Sequence, residues 1–277
     1  MNRVIAIFIT IAFLTSCNDS KKTKSDTKKV QWEFKQAIKL PQKVRPLSIA
    51  IENDEIWLSD PENNRVLKIN LKSEILDSIT NLERPMNIEL QDGKLYIPEY
   101  LSDRVLVMTK NSKDSLSLIN QLNAPASVDV STSQIAIADF YNHRIVLRNQ
   151  DKDFFFGEKG SQNGQFHYPT DVKFYQNEIY VADAYNNRVQ VFDNTGVFKT
   201  IIGADAGINV ASGLDVSENT IAITDQENNR VLIFDLEGKI VQILTEKINY
   251  PTDVILIDNE LWVANFKTNE LTIFQKK

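Results

Sequence analysis

Residues 169–192 read PTDVKFYQNEIYVADAYNNRVQVF, and the pattern of this stretch returns along the whole chain. Within it, Asp183 closes a short apolar run, and Arg188 follows five positions later. The same spacing from an acidic residue to an arginine occurs five times, at Asp60 and Arg65, Glu99 and Arg104, Asp139 and Arg144, Asp183 and Arg188, and Asp225 and Arg230. A degenerate sixth copy is Asn265 and Glu270. Successive copies are 39, 40, 44, 42 and 40 residues apart, a period typical of a stacked or circular array of units.

Each unit reads as a group of short β-strands. Its apolar runs are rich in β-branched and aromatic side chains, and none keeps a 3.6-residue spacing over ten positions. Asparagine-rich turns separate the runs, and a fourth segment such as residues 197–202 completes most units. Four antiparallel strands in about 40 residues is the size of one propeller blade. The sequence therefore predicts an all-β, six-bladed β-propeller of four-stranded antiparallel blades.

The sixth unit predicts how the ring closes. It ends at Phe274 after only three strands, whereas residues 31–38 form an alternating segment just before the first unit. We expect this N-terminal segment to pair with residues 271–274 in the last blade. Such pairing removes the open sheet edges that a linear array would leave.

The fourth unit resembles the NHL-repeat β-propellers. The residues that carry the resemblance are Gly157, Gly160, NGQF at 163–166, PTDV at 169–172, IYVAD at 179–183 and NNRVQVF at 186–192. The likeness extends over roughly residues 45–274 and implies a six-bladed ring. The family includes recognition modules, RNA-binding domains and a few enzymes, so the resemblance implies little about activity.

The N-terminus is expected to be a bacterial lipoprotein leader. Asn2 and Arg3 precede an 11-residue apolar stretch, and residues 14–17 read LTSC, which is similar to a lipoprotein processing box. We therefore divide the chain into a signal peptide (1–16), an acylated Cys17 with a flexible tether (17–29) and the propeller (30–277). A palmitate-bearing anchor on the cell envelope, at the periplasmic or outer-surface side of a membrane, is expected. The alternative is an ordinary secretory peptide in which the single cysteine is incidental.

Charge narrows the classes of partner. The formal net charge is −6 and the pI is about 5.1, which disfavours nucleic acid because phosphate binding needs a basic face. The lysines of the tether suit either anionic lipid head groups or a soluble spacer. We expect a monomer whose ligand is an envelope protein, a peptide or a glycan.

The repeated acid and arginine pairs allow two interpretations. Five near-identical pairs around a ring are typical of a structural lock in each hairpin, with the carboxylate accepting turn N–H groups. The alternative is a ring of arginines that captures an anionic ligand. Because an active site needs one set of groups in one place, the repetition itself argues against catalysis.

Aromatic content differs between the units and predicts a recognition surface. Rings and basic groups at the expected hairpin tips and beside the prolines form an asymmetric patch, which is the candidate ligand-binding rim. Its members are Phe140, Tyr141, His143, Arg144, His167, Tyr168, Tyr185, Arg188 and Phe266. Some of these rings are alternatively interpreted as filling between blades.

The expected channel offers a weak cation site. Two positions after each proline the units carry Ser48, Asn87, Ser127, Asp171, Gly213 and Asp253. Oxygens of Asn87, Asp171 and Asp253 suit calcium, although two carboxylates on non-adjacent blades make a poor site. No cofactor and no confident metal are expected.

We therefore favour a binding or scaffold propeller. The alternative is a metal-assisted lyase or lactonase of the six-bladed type. The lactonases typically place their ligands one position nearer the proline, and a histidine-bound metal needs more than His143 and His167. No catalytic residue is assigned.

Overall fold

The structure is a computed structural model that describes residues 31–41, 43–52, 55–118, 121–150 and 152–277. It contains six four-stranded antiparallel sheets, and the first strand of each contacts the first strands of its neighbours, so the sheets form a closed ring. The predicted six-bladed β-propeller is confirmed. Cys17 and the tether lie outside the described residues.

The strands are short and follow the predicted order within each blade. Blade 1 holds β2 to β5, each later blade takes the next four, and blade 6 holds β22, β23, β24 and β1. The bounds are β1 (Trp32–Lys39), β2 (Ser48–Glu52), β3 (Glu55–Asp60), β4 (Arg65–Ile69), β5 (Ile75–Ile79), β6 (Glu89–Gln91), β7 (Lys94–Glu99), β8 (Arg104–Met108), β9 (Lys113–Ser115), β10 (Pro125–Val130), β11 (Gln134–Asp139), β12 (Arg144–Asn149), β13 (Lys152–Phe156), β14 (Pro169–Tyr175), β15 (Glu178–Asp183), β16 (Arg188–Asp193), β17 (Phe198–Ile202), β18 (Ala211–Ser217), β19 (Thr220–Asp225), β20 (Arg230–Phe234), β21 (Ile240–Leu244), β22 (Pro251–Ile257), β23 (Glu260–Asn265) and β24 (Glu270–Lys276). Three-residue 3-10 turns cover Pro61–Asn63, Phe140–Asn142 and Ala184–Asn186.

The N-terminal strand closes the ring as predicted. Strand β1 pairs antiparallel with β24, with Phe34 opposite Phe274 and Ile38 opposite Leu271. The register shifts between Phe34 and Gln36, and this irregularity lets the strand bend along the blade. Buried Trp32 packs with side chains of blade 5 such as Leu244, so the closing strand also contributes to the core between blades.

The hydrophobic core is divided among the interfaces between blades. At the interface of blades 4 and 5, Phe234 packs with Val191 and Ile202 of the preceding blade. At the interface of blades 3 and 4, the rings of Phe156 and Phe192 are 4.7 Å apart. Burying one such side chain contributes about 2 to 3 kcal/mol. The ring is therefore held by several separate apolar clusters.

Each repeated acid is a buried lock. Asp183 accepts hydrogen bonds from the backbone N–H of His167 at 2.7 Å, from Asn186 Nδ2 at 2.8 Å and from Arg188 Nε at 2.9 Å. Its side chain is fully buried, so these charge-assisted donors are needed to offset the loss of water. In the degenerate sixth unit, Asn265 accepts the equivalent backbone bond and donates to Thr272 Oγ1. The arrangement in the structure matches the structural interpretation of the pairs.

A second repeated contact joins consecutive blades. The residue four positions after the acid adopts a left-handed backbone with φ of 51 to 55°, a conformation that asparagine tolerates well. Its side chain accepts the N–H of the residue before the next blade, as Asn64 does from Arg84 at 3.1 Å and Asn229 from Tyr250 at 2.7 Å. At this position blade 3 carries His143, whose Nδ1 accepts from Tyr168 N at 3.2 Å.

Candidate functional site

One face of the ring carries the candidate rim. Pro169 pairs with Asp183, so the start of the first strand and the end of the second strand of blade 4 lie at the same face. Equivalent pairs are Pro125 with Asp139 and Pro251 with Asn265. We call this side the hairpin face, because the tips joining the second and third strands project from it.

Seven rings on the hairpin face form one continuous cluster, which we call the aromatic rim. Phe140 stacks on Tyr168 with ring centroids 4.7 Å apart, and Tyr168 meets Tyr185 at 5.2 Å. On the other side, Tyr100 lies 5.7 Å from Tyr141. The complete set, contributed by blades 2, 3 and 4, is Tyr100, Phe140, Tyr141, His143, His167, Tyr168 and Tyr185.

Two rings of the aromatic rim are exposed to solvent, four are half-buried and one is buried. Tyr141 is 48% and Tyr185 56% exposed, and the neighbouring Leu101 is 61% exposed. Burial and then a hydrogen bond with Tyr141 raise the pKa of the half-buried Tyr100 hydroxyl, so it stays protonated. Large apolar surface that remains contiguous and exposed is typical of an interaction site.

The two histidines lie side by side within the aromatic rim. Their ring centroids are 5.9 Å apart, and His143 is buried while His167 is half-buried. Burial lowers the pKa of the His143 imidazole, with the positive charge of Lys159 acting in the same direction. The neutral ring suits its role as an acceptor for Tyr168 N, because that bond needs a free lone pair on Nδ1.

The structure separates three predicted rim residues from this cluster. Arg144 donates to Asp139 and to Gln121 O, and Arg188 is buried with its donors directed at Asp183, Gln162 O and Gln165 O. Phe266 contacts Tyr250 at 6.4 Å, in a separate pair over which the Lys267 ammonium lies 3.6 Å from the tyrosine ring.

Sequence reasoning missed Tyr100. It directly follows the lock acid Glu99, as Phe140 follows Asp139, so aligning the hairpin tips of the units would have found it. The Arg84 guanidinium lies 5.2 Å from its ring centroid, which adds a cation to the edge of the aromatic rim.

The predicted channel residues join neighbouring blades. Asp171 accepts from Ser127 Oγ at 2.6 Å and from Leu214 N at 2.8 Å, and Asp253 accepts from Ile49 N at 2.8 Å. Burial, and next the charge of Asp171, raise the pKa of Asp253 to about 7. Asn87 is directed at Thr170 O at 3.5 Å. The carboxylate oxygens thus already accept backbone N–H groups, and a cation at these three residues stays a prediction.

A charged cluster that the sequence reasoning missed lies two residues further along the inner strands. Lys173 Nζ is 2.9 Å from Glu89 and 3.2 Å from Asp129, beside a cavity of about 260 Å³ that Asp215 also lines. Burial alone would lower the pKa of Lys173, but Glu89 and Asp129 raise it, so the ammonium stays charged. Burial raises the pKa of Glu89 to about 8 against the opposing charge of Lys173. Comparing the residues four positions after each proline would have found Glu89, Asp129 and Lys173 in the sequence.

Two general findings concern metals and membranes. Among the described residues, no three His, Cys, Asp or Glu side chains are grouped closely enough to hold a metal ion. Within the same part of the chain, no helix has the length and apolar character needed to cross a bilayer.

Comparison with known proteins agrees with the architecture. Residues 161–277 match the family DUF5128, described as a 6-bladed beta-propeller. No curated protein matches the chain. The ring and this match together define the protein as a six-bladed β-propeller.

Several solved structures share the fold. A streptogramin B lyase is 13% identical with a TM-score of 0.69, and the match covers 89% of this chain and 86% of that one. A catalytically inactive histidine-to-alanine variant of virginiamycin B lyase from Staphylococcus aureus, with quinupristin, is 15% identical with a TM-score of 0.67 and covers 88% of each chain. The selenomethionine-substituted enzyme from the same organism is 16% identical with a TM-score of 0.65, covering 88% of this chain and 99% of that one. At this identity the likeness is one of fold.

Proposed function

We propose that this protein is a membrane-anchored binding propeller of the cell envelope, which recognises a protein, peptide or glycan through the aromatic rim. The contiguity of the seven rings across three blades is the observation that favours this function. Tyrosine supplies a rigid apolar face and a polar tip, a combination enriched at the centres of interfaces.

The rim is asymmetric, which suits one ligand in one orientation. Two positions after the lock acid, blades 2, 3 and 4 carry Leu101, Tyr141 and Tyr185, whereas blades 5, 6 and 1 carry the charged residues Glu227, Lys267 and Glu62. An apolar half beside a charged half lets a partner be fixed by burial on one side and by charge on the other.

The envelope location in this proposal depends on the leader. A short basic start, an apolar stretch of 11 residues and Cys17 after small residues support an acyl anchor. Replacing Cys17 with serine should release the protein from the membrane fraction. A Cys17→Ser protein that still sediments with membranes would contradict the anchor while leaving the rim proposal untouched.

The rim is tested by capture of ligands from envelope extracts separated into protein and glycan fractions. Tyr141→Ala and Tyr185→Ala together should weaken the binding free energy of the captured ligand by about 2 kcal/mol or more, since exposed aromatic anchors dominate such contacts. Val197→Ala is the control, because Val197 is 60% exposed but lies in the turn between β16 and β17, at the face opposite the hairpin tips. If the Tyr141→Ala, Tyr185→Ala double variant captured the same ligand as strongly as the wild type, the rim would be refuted as the binding surface.

A metal-assisted lyase or lactonase is the second candidate. Its support is the fold shared with streptogramin B lyases, one of which is inactive when a histidine is replaced by alanine, together with the adjacent His143 and His167 on the rim. The test is incubation with quinupristin and added divalent cations, followed by mass spectrometry. Conversion that His167→Ala abolishes would favour the enzyme, and absence of conversion would reject this substrate.

A further inference from the structure

A cavity lies between blades 1 and 2, away from the aromatic rim. Its volume is about 770 Å³, and it is lined by Trp57, Lys68 and Ile79 of blade 1 and by Leu90, Leu95 and Met108 of blade 2. We call it the blade 1–2 cleft. Its size falls within the range of sites for small organic ligands.

Two residues that line the cleft deviate from the repeat. Eight positions after the lock acid, five units carry an apolar residue that faces the next blade, whereas blade 1 carries Lys68. The six residues at this position are Lys68, Val107, Leu147, Val191, Ile233 and Ile273. One position later, blades 4, 5 and 6 fill the preceding interface with buried Phe192, Phe234 and Phe274, whereas blade 2 supplies the smaller, half-buried Met108.

The walls of the cleft combine an apolar surface with carboxylates. Leu90 and Leu95 belong to the core of this interface, and Trp57, Ile79 and Met108 pack partly buried at its edge. This gives a ligand an aromatic ring, aliphatic groups and a polarisable thioether to pack against.

The charges of the cleft favour a cation. Four carboxylates line it, those of Glu52, Glu55, Asp77 and Asp92, against the two ammonium groups of Lys68 and Lys110. Glu55 pairs with Lys68 at 2.6 Å, and Glu52 accepts the backbone N–H groups of Asp92 and Gly93 at 2.8 and 2.9 Å. The hydrogen bonds to Glu52 therefore join blades 1 and 2 at the edge of the cleft. Asp77, opposite Lys68 on β5, stays exposed.

We propose that the blade 1–2 cleft binds an amphipathic organic cation, in which an apolar or aromatic body carries an amine. The body packs against Trp57 and Met108, and the ammonium group lies toward Asp77 and Asp92. This site is independent of the aromatic rim, since no residue is shared between them.

The test uses two fluorescent probes with opposite charge. Dansylcadaverine joins an aromatic fluorophore to an alkyl ammonium, and dansyl-aminohexanoate carries a carboxylate on a similar chain. Dansylcadaverine should bind the full chain more tightly by about tenfold or more, a difference of about 1.4 kcal/mol. The proposal would be overturned if the Kd of both probes were above about 1 mM, or if both probes bound with the same Kd.

Variants assign the binding to this cleft. Met108→Phe should close it as phenylalanine does in three other interfaces, and should weaken dansylcadaverine by about tenfold. Asp77→Asn should weaken it by about threefold, the effect of one exposed charge. The matched control is Asp114→Asn, because Asp114 occupies the same register on the outer strand of blade 2, opposite Val107.

The outcomes are separable from those of the rim. Tyr141→Ala should leave dansylcadaverine binding unchanged, because Tyr141 lies on the hairpin face. If Met108→Phe does not fold, the comparison of Asp77→Asn with Asp114→Asn decides, since both side chains are exposed. Equal effects of these two variants would place the probe elsewhere and refute the site.

Discussion

Replacing Lys173 with methionine removes the ammonium group that pairs with the carboxylates of Glu89 and Asp129. The ammonium lies 2.9 Å from Glu89 and 3.2 Å from Asp129, and all three side chains are largely buried, with 15, 18 and 10% exposure. Methionine keeps the apolar length of the side chain but leaves both carboxylates without their partner. Breaking a buried ion pair from one side costs about 3 to 5 kcal/mol, and we expect a loss of this size in the free energy of unfolding.

The loss should depend on pH in a defined direction. Burial raises the pKa of Glu89 to about 8 from 4.5, so the folded protein binds a proton there that the unfolded chain releases. The stability that this proton contributes is fully present below 4.5, the pKa of Glu89 in the unfolded chain. It decreases as pH rises through the folded pKa of about 8, by at most about 1.4 kcal/mol per pH unit. Because Lys173 opposes the shift, its removal raises the pKa of Glu89 further. The substitution should therefore cost about 1 kcal/mol more near pH 9 than near pH 6.

The assay is urea unfolding followed by tryptophan fluorescence at the two pH values. Lys199→Met is the control, because Lys199 also pairs with a glutamate but is 47% exposed, and such surface pairs contribute about 0 to 1 kcal/mol. Adding Glu89→Gln to Lys173→Met should remove the extra cost near pH 9, since it removes the carboxyl group whose titration causes that cost. A cost below about 1 kcal/mol, or an equal cost at both pH values, would refute this account of the cluster.

Three further predictions concern the locks and the ring. His143→Asn should keep the bond to Tyr168 N and remove a titration. Because the His143 pKa is lowered in the fold, the melting temperature of the wild type relative to that of the variant should decrease as pH falls below about 6.5. An equal slope in both proteins would contradict this. Deleting residues 31–38 should lower the melting temperature and produce oligomers in size-exclusion chromatography, since it exposes the edge of β24; an unchanged monomer would show that closure does not need β1. Asp183→Ala should cost about 3 to 5 kcal/mol in urea unfolding by leaving buried Arg188 unpaired, and a loss below about 1 kcal/mol would show that the lock contributes little.

The fold could be predicted because each unit repeats the same local information. The prolines, with Ala211 as the one substitute, indicate six blades, and so do the hairpin locks. The missing fourth strand of the last unit agrees with this number and predicted closure by residues 31–38. The roles of the arginines were harder, because spacing places Arg188 near Asp183 but does not say that its remaining donors are taken by Gln162 O and Gln165 O.

The site was less accessible to sequence reasoning for a geometric reason. Side chains on the hairpin face belong together only once the blades are placed side by side, so Tyr100 joined the rim and Phe266 separated from it in the structure alone. The Lys173 cluster has the same origin: its members are 40 to 44 residues apart in the chain, at Glu89, Asp129 and Lys173, and become neighbours where the inner strands converge.

The repeat separates structural from functional residues by internal comparison. A residue type that recurs in nearly every blade, such as the lock acid, satisfies a need that every blade has, and the buried, fully bonded carboxylate of Asp183 shows what that need is. A deviation in one blade has no such general cause. Lys68 at an otherwise apolar position and Met108 where blades 4, 5 and 6 place phenylalanine line a cleft between blades 1 and 2, and Tyr141 and Tyr185 make one half of a rim aromatic. Opening a core interface costs stability, because apolar side chains lose their packing partners there. The deviations of blades 1 to 4 are therefore where ligand contacts are best sought, and blades 5 and 6 supply the reference for what the ring needs by itself.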